Sequence, residues 1–333
     1  MKRNHLIYIL LLPILAAACL LSLAVGSADL SAPELLAGLF RREGFEVETA
    51  IVYAIRLPRL VGAVVAGAGL SLSGMLLQTV MNNPLASPNT IGVNAGAGLF
   101  VILCLSVAPS MAGLVPLAAF LGAGITIGLV LLVARFAGGQ GAHTVILAGI
   151  ACTSLFQAGI SFFNFLDSDV LVAYNAFSVG GLSNVKMKDL ILPAVLVAGG
   201  LFLSLCLSGR IAALSLGTAV AASLGVRVTL LRTVCLLTAG LCAAAVVSFA
   251  GLLGFVGLVV PHITRRLVGN GIGRGLATAP LVGAILVILS DLAARTLFAP
   301  AEIPVGILMA FVGAPFFFVL LLRRGKESSH ASN

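Results

Sequence analysis

The side chains that could carry out covalent chemistry are few, and their spacing does not suit a hydrolase or an ATPase. A Walker A loop needs a lysine followed by Ser or Thr, and none of the lysines has that neighbour. No two of the four histidines stand at i and i+4, the spacing of a helical zinc pair, and no GxSxG motif occurs. The residues concerned are Lys2, Lys186, Lys188, Lys326, His5, His143, His262 and His330.

The serines and cysteines also show no spacing that indicates a catalytic site, a metal site or a disulfide. Ser71 or Ser183 with His143 or His262 would be needed for an intramembrane hydrolase, but apolar helices commonly use serine for packing. No two cysteines form a CxxC pair, and each lies in an apolar run, so they are interpreted as small buried hydrophobes. We therefore expect no metal, disulfide or cofactor on this chain. The six cysteines are Cys19, Cys104, Cys152, Cys206, Cys235 and Cys242.

The composition predicts a membrane protein. Hydrophobic residues make up 60% of the 333 residues and charged residues only 9%, against roughly 25% charged residues in soluble domains. A chain this apolar has too little polar surface for a water-facing globule. The net charge of +8 is spread thinly between apolar runs, which favours a role in membrane orientation over nucleic-acid binding.

Uncharged runs and their flanking arginines predict ten transmembrane helices. Residues 60–134 carry no charge and are long enough for three spans, since one span needs about 20 residues. Residues 233–263 are long for one helix and short for two. We interpret them as two, because two passes place the flanking arginine groups on the same side. The predicted spans are 6–28, 59–81, 89–108, 113–135, 143–165, 189–208, 229–249, 252–267, 275–297 and 304–322.

Ten spans place both termini on one side, which the positive-inside rule makes the cytoplasm, because that side then holds most of the Lys and Arg residues. The longest outer segment is 27–58. There Ser31 and Glu34 form a capping-box pattern and Gly44 is a plausible stop, so we expect a short surface helix. The parallel between residues 59–67 and 232–240, both running from Arg to Gly, suggests an inverted repeat.

The predicted spans hold few ionisable groups at their middles. Proton- or sodium-coupled carriers usually have such groups there. Asp291 and Arg295 stand at i and i+4 toward the outer end of their span and can pair with each other. This pattern argues against a self-powered carrier and favours a translocation pathway whose energy source is on another chain.

Three stretches of the chain contain long, distinctive motifs, at residues 56–97, 249–266 and 291–316. The first stretch begins with Arg-Leu-Pro-Arg and continues through Asn-Pro-Leu-Ala, and the second contains Gly-Leu-Val-Val-Pro-His followed by Arg-Arg. The third combines Asp-x-x-Ala-Arg with Glu-Ile-Pro-Val-Gly and Gly-Ala-Pro-Phe. These motifs resemble the FecCD family, the membrane permease subunits of ABC importers for iron–siderophore complexes, haem and cobalamin. The similarity covers essentially the whole chain.

The resemblance implies an all-α type II ABC importer permease with ten spans, formed by residues 1–333 as one domain in the bacterial cytoplasmic membrane. Two permease copies would form the pathway, two P-loop ATPase subunits would bind ATP and Mg²⁺ inside, and a binding protein would deliver the substrate outside. An iron chelate, either a siderophore complex or haem, is the expected substrate. Cobalamin is the alternative within the same family.

The short uncharged run 211–226 is predicted to form interfacial helices on the cytoplasmic side. The resemblance implies that this segment couples the permease to the ATPase. Many relatives have an acidic residue just after its first glycine, where this chain has Thr218. The alternative is an ordinary interfacial hairpin. The coupling residues are Leu214, Gly217, Thr218, Ser223, Leu224 and Gly225.

The resemblance also implies roles for other positions. His143 and Thr144 would narrow the pathway on the cytoplasmic side, although either also suits a helix N-terminus. Asn164 is expected near the outer vestibule, and His262 either bonds locally or faces the ATPase. Exposed arginines at the outer surface would dock the binding protein, unless Arg295 simply pairs with Asp291 and the others anchor a span. These docking arginines are Arg56, Arg59 and Arg295.

Overall fold

Long apolar segments fold as helices in lipid, because a helix satisfies its own backbone hydrogen bonds where no water is available. The computed structural model describes residues 2–26, 30–137 and 141–330, which form an all-α bundle. Its α-helices are α1 Lys2–Ala24, α2 Ala32–Leu39, α3 Glu46–Ala50, α4 Leu57–Val80, α5 Val93–Val107, α6 Val115–Phe136, α7 Ala142–Leu166, α8 Ser168–Val179, α9 Met187–Cys206, α10 Ser208–Ser215, α11 Thr218–Ser223, α12 Val228–Ala250, α13 Val256–Val268, α14 Ile272–Thr296 and α15 Val305–His330.

Each predicted span has a matching helix. Among the described residues, seven helical segments are long and apolar enough to cross a membrane, and these contain α1, α4, α6, α7, α9, α12 and α14. The shorter apolar helix α5 and the first part of α15 match two further predicted spans. Residues 27–28 of the first predicted span lie outside the described residues. The prediction of an all-α protein with about ten transmembrane helices is confirmed.

Helix α4 is the centre of the bundle and packs against α9, α12, α13 and α14. Its small residues allow this. A Cβ on Gly67 would lie only 2.2 Å from the carbonyl oxygen of Gly283 on α14, so the two backbones are in direct contact. Gly74 approaches Gly257 of α13 in the same way. Close approach at small residues is the usual basis of helix association in lipid.

Helices α4 and α12 pack antiparallel, as an inverted repeat requires. Gly69 lies beside Val246, and farther along α4 the buried hydroxyl of Ser73 donates a 2.6 Å hydrogen bond to the carbonyl of Ala239. We call the end of the bundle that holds the N-terminus of α4 and the C-termini of α1 and α14 the arginine end. The opposite end, which carries α10 and α11, is called the α10 end.

The crossing after α12 is not a full helix, and here the predicted span 252–267 is wrong in detail. Helix α12 ends at Ala250, the chain turns at Gly251 (φ 67°), and helical structure resumes only at Val256. A helix of 13 residues spans about 20 Å, less than the roughly 30 Å hydrocarbon core. Residues 251–255 cover the remaining distance in non-helical form, packed against α8 and α15. Irregular backbone at this depth is tolerated only inside protein or along a cavity.

Short helices connect the spans at both ends. The predicted surface helix after residue 27 exists as α2, and the Ser31 backbone N–H donates a 2.8 Å hydrogen bond to Glu34. That bond lowers the pKa of the Glu34 carboxyl. Helix α2 ends at Leu39, so the predicted stop at Gly44 is wrong, although Gly44 does adopt a positive φ. Helix α8 had no counterpart among the sequence predictions.

Candidate functional site

A buried ion cluster joins α4, α14 and the loop before α15 at the arginine end. The Nε atom of Arg59 lies 2.8 and 3.0 Å from the two carboxylate oxygens of Asp291, and its Nη1 lies 2.7 Å from Glu302. Arg295 is one turn after Asp291 on α14, and its Nε lies 3.8 Å from the Asp291 carboxylate. This last contact is an ion pair without a hydrogen bond, because the distance is too long.

The same cluster holds the C-terminus of α1. Arg295 donates hydrogen bonds of 2.6 and 2.8 Å to the carbonyl and hydroxyl oxygens of Ser22. Arg56 donates to the carbonyls of Leu23 and Ala24, the latter at 2.9 Å. The last carbonyls of a helix have no partner within the helix and carry partial negative charge, so guanidinium groups stabilise them.

The prediction that the three docking arginines are exposed is wrong. Arg56, Arg59 and Arg295 are 3%, 6% and 3% exposed, and each donates to partners within the chain. The sequence shows that these arginines lie near a span end. It does not show that α1 and Glu302 pack over their side chains. The proposed pairing of Arg295 with Asp291 exists as an ion pair, while the hydrogen bonds of Asp291 come from Arg59. Docking of a binding protein stays a prediction.

The helix that carries two of the arginines contains an unusual turn. Residues Ile51–Arg56 are π-helical and continue directly into α4, so that Glu46–Val80 is one helical rod. A π turn changes the direction in which the following side chains point, and such turns are frequent at functional sites. Here the turn ends at Arg56, three residues before Arg59.

The segment predicted to form interfacial helices folds as two short helices, α10 and α11, at the α10 end, while its location at the membrane surface stays a prediction. Gly217 (φ 114°) and Gly225 (φ 77°) form the turns before and after α11, in backbone conformations that other residues adopt only with strain. Leu214 is buried, whereas Thr218, Ser223 and Leu224 are exposed. The turns before and after α11 present apolar side chains, because Leu216 and Leu224 are both more than 60% exposed.

The predicted gate and pathway residues lie on one helix. His143 is exposed and Thr144 is half-buried in the first turn of α7, toward the α10 end. Asn164 is half-buried near the other end of α7, and its Oδ1 atom has no hydrogen-bond partner within the described residues. The structure therefore separates the gate pair from Asn164 by most of the length of α7.

Two motif residues that the sequence analysis left unpaired clamp α13 to α4. Arg265 donates a 2.7 Å hydrogen bond to the side-chain oxygen of Gln78, which is itself buried. The amide nitrogen of Gln78 lies 3.3 Å from the carbonyl of Gly257. His262 bonds locally, as one of the two interpretations expected, with its Nδ1 atom 2.9 Å from the Leu258 carbonyl.

The structure brings two of the three family-like stretches together around one cavity. The cavity has a volume of about 340 Å³ and lies where the non-helical crossing passes the start of α5. Asn89, Thr90 and Asn94 contribute polar groups from one side, and Phe255 contributes an aromatic ring from the other. The sequence analysis did not bring these residues together, because they are far apart in the chain.

Nothing in residues 2–26, 30–137 and 141–330 resembles a metal centre. The side chains described there contain no group of three His, Cys, Asp or Glu residues that could hold a metal ion. All six cysteines are free thiols. The chemistry of this part of the chain is therefore that of packing, hydrogen bonds and one buried ion cluster.

The apolar helical bundle, with its broken crossing, its pair of short helices at one end and its ion cluster at the other, defines a polytopic membrane protein. The profile of the FecCD transport family matches residues 14–323. This chain belongs to the FecCD family of ABC transporter permeases. The match includes the cluster, the cavity and the α10–α11 segment.

Individual relatives agree with this assignment. The Fe(3+)-citrate import system permease protein YfmD of Bacillus subtilis (strain 168) is 37% identical over 311 residues, which are 92% of this chain and 91% of YfmD. The hemin transport system permease protein HmuU of Yersinia pestis is 35% identical, covering 93% of this chain and 95% of HmuU. A solved structure described as an inward-facing metal-chelate type ABC transporter superposes with a TM-score of 0.84 at 32% identity, over 94% of this chain and 97% of the other.

Proposed function

We propose that this chain is the permease subunit of an ATP-driven importer and forms the translocation pathway for an iron chelate. The observation that carries the proposal is the similarity, over more than nine tenths of the chain, to permeases named for iron(III) citrate and for haemin. Relatives named for iron(III) hydroxamate and achromobactin support the same substrate class. Cobalamin is the less favoured alternative.

The energy source is proposed to be a partner ATPase. The sequence contains no phosphate-binding loop, so ATP and Mg²⁺ would bind to the partner. The geometry of the ion cluster argues against a self-powered carrier. Asp291 is buried, and both of its carboxylate oxygens already contact Arg59. A proton- or sodium-binding acid would need to exchange that partner during each transport cycle.

The α10–α11 segment is the proposed contact with the ATPase, on the cytoplasmic side. Leu216 and Leu224 of this segment are exposed, so they form an apolar surface that the described membrane helices do not cover. Two copies of this chain and two ATPase subunits would form the complete importer, since most oligomers are closed and symmetric. If the α10 end faces the cytoplasm, both termini lie there too, because α1 begins and α15 ends at that end.

The arginine end is the proposed docking surface for an extracytoplasmic binding protein. The cluster contains three guanidinium groups and only two carboxylates, so it carries an excess positive charge. The side chain of Glu302 is 28% exposed and is therefore the accessible edge of the cluster. An acidic residue of the binding protein would approach the arginines from that edge.

An uptake assay tests the proposal. The chain is co-expressed with its candidate ATPase, reconstituted into liposomes and supplied with the binding protein and radiolabelled iron citrate, iron hydroxamate, haemin or cobalamin. We expect uptake of one iron chelate that requires ATP and persists when ionophores remove all ion gradients. Uptake that ionophores abolish while ATP is present would contradict the proposal. Uptake of cobalamin alone would show that the substrate is cobalamin and not an iron chelate.

A further inference from the structure

A cavity at the α10 end combines a cationic rim with an apolar wall. It has a volume of about 520 Å³, within the range of small-molecule sites, and lies between the C-terminus of α9, the turn 224–226 after α11 and the first turns of α12. Arg210 and Arg227 form its polar part. Leu207, Leu230 and Val234 form its apolar part.

The two arginines have no counter-charge of their own. Both are exposed, and within the described ranges no hydrogen bond or ion pair joins the side chain of either one to another residue. The sequence from residue 190 to 290 contains no Asp or Glu at all, although it contains six arginines. No acid of this stretch competes for the rim, which is therefore open to an anion from outside the chain.

The apolar wall indicates which anion. Helix α12 begins at Val228, so Val234 lies about 9 Å farther along the helix axis, inside the membrane-spanning segment. The two helices that flank the cavity also present exposed apolar side chains, since Leu230 of the wall is 57% exposed and Phe202 on α9 is 72% exposed. The cavity thus runs from charged groups at the membrane surface to the depth at which acyl chains begin, about 5–10 Å below it.

We propose that this cavity binds an anionic phospholipid, with its phosphate between Arg210 and Arg227 and the start of an acyl chain along Leu207, Leu230 and Val234. A guanidinium group recognises phosphate through two parallel hydrogen bonds, and two of them at one rim match a phosphodiester. The start of α12 adds to this, because phosphate is favoured at helix N-termini. A free phosphate or a protein carboxylate would use the arginines but leave the apolar wall uncovered.

The test measures lipid bound to the full-length chain purified in a neutral detergent, by native mass spectrometry. Dioleoylphosphatidylglycerol is compared with dioleoylphosphatidylcholine and with soluble glycerol 3-phosphate. We expect one phosphatidylglycerol to bind preferentially. Each arginine near a membrane surface favours an anionic lipid about fivefold, so the double variant Arg210→Gln/Arg227→Gln should bind it roughly thirty-fold more weakly.

The matched control removes the same charge elsewhere at the α10 end. Arg135 and Arg274 are exposed there but do not line the cavity, so Arg135→Gln/Arg274→Gln should retain binding. Arg210→Lys/Arg227→Lys should recover part of the affinity, and Val234→Trp should reduce it by filling the apolar part. Unchanged elution in size-exclusion chromatography verifies that each variant is folded.

Three results would overturn the proposal. Equal loss in both glutamine double variants would show only a diffuse effect of charge. Equal affinity for glycerol 3-phosphate would show an anion site with no role for the acyl chain. Unchanged lipid binding with loss of ATPase assembly in Arg210→Gln/Arg227→Gln would assign the cavity to a protein partner. Lipid binding is measured without ATPase or substrate, and ATPase assembly is measured separately by co-purification, so the lipid result is independent of the proposed transport function.

Discussion

Replacing Asp291 by Asn isolates the contribution of the buried ion cluster. The substitution keeps the shape of the side chain and one acceptor oxygen but removes the charge that faces Arg59 at 2.8 Å and Arg295 at 3.8 Å. The cluster would then hold three guanidinium groups against Glu302 alone. Breaking a buried ion pair costs about 3–5 kcal/mol, and the retained oxygen places Asp291→Asn near 3 kcal/mol.

The assay is reversible unfolding of the purified chain in mixed micelles, compared with Asp189→Asn. Asp189 is an exposed acid in the first turn of α9, where loss of its charge should cost only about 0.3–1 kcal/mol. A double-mutant cycle with Arg59→Gln should give a coupling energy of about 0.5–3 kcal/mol between the two residues. If Asp291→Asn lowers the free energy of unfolding no more than Asp189→Asn does, the cluster does not stabilise the fold.

The remaining predictions concern packing, coupling and the gate. Gly67→Ala should lower the free energy of unfolding by at least 1–3 kcal/mol, because its Cβ would overlap the backbone of α14, whereas Gly128→Ala, which has open space around it, should be neutral or stabilising. Gly217→Ala should reduce co-purification of the ATPase, because the turn before α11 needs a positive φ, and Gly209→Ala in α10 should not; equal recovery of both would contradict the coupling role. Thr144→Cys, in a cysteine-free background, should cross-link between two permease copies in at least one nucleotide state and block uptake; absence of cross-linking in every state would place the gate elsewhere.

The positions of the apolar helices along the chain follow from local information, which explains why the sequence could predict them. Apolar length, interrupting prolines and the placement of arginines define where each helix begins and ends, and the helices match within a few residues for most spans. The Gly-rich run around residue 251 is the exception. Its hydropathy is the same whether it is helical or extended, and only packing against α8 and α15 decides between the two.

The candidate site was predictable only in part. The positions of Arg56 and Arg59 near a span end could be read from the sequence, but their burial depends on contacts with residues far away in the chain. Glu302 lies 243 residues from Arg59, and the carbonyls that accept from Arg56 lie on α1. The signal that could have indicated the pairing was the presence of acids in the same family-like stretch as Arg295. Backbone carbonyl partners leave no such signal.

The attachment of α1 has a thermodynamic consequence for any ligand of the arginine cluster. Only 17% of its membrane-crossing window is buried, so α1 depends heavily on its end contacts, including the hydrogen bonds from Arg56 and Arg295. An acidic ligand that takes over these guanidinium groups competes with the α1 carbonyls for the same donors. By linkage, ligand binding weakens the attachment of the α1 C-terminus by a certain free energy, and the attachment of α1 weakens ligand binding by the same free energy. Ligand capture at this end and loosening of the C-terminus of α1 are therefore two sides of one equilibrium.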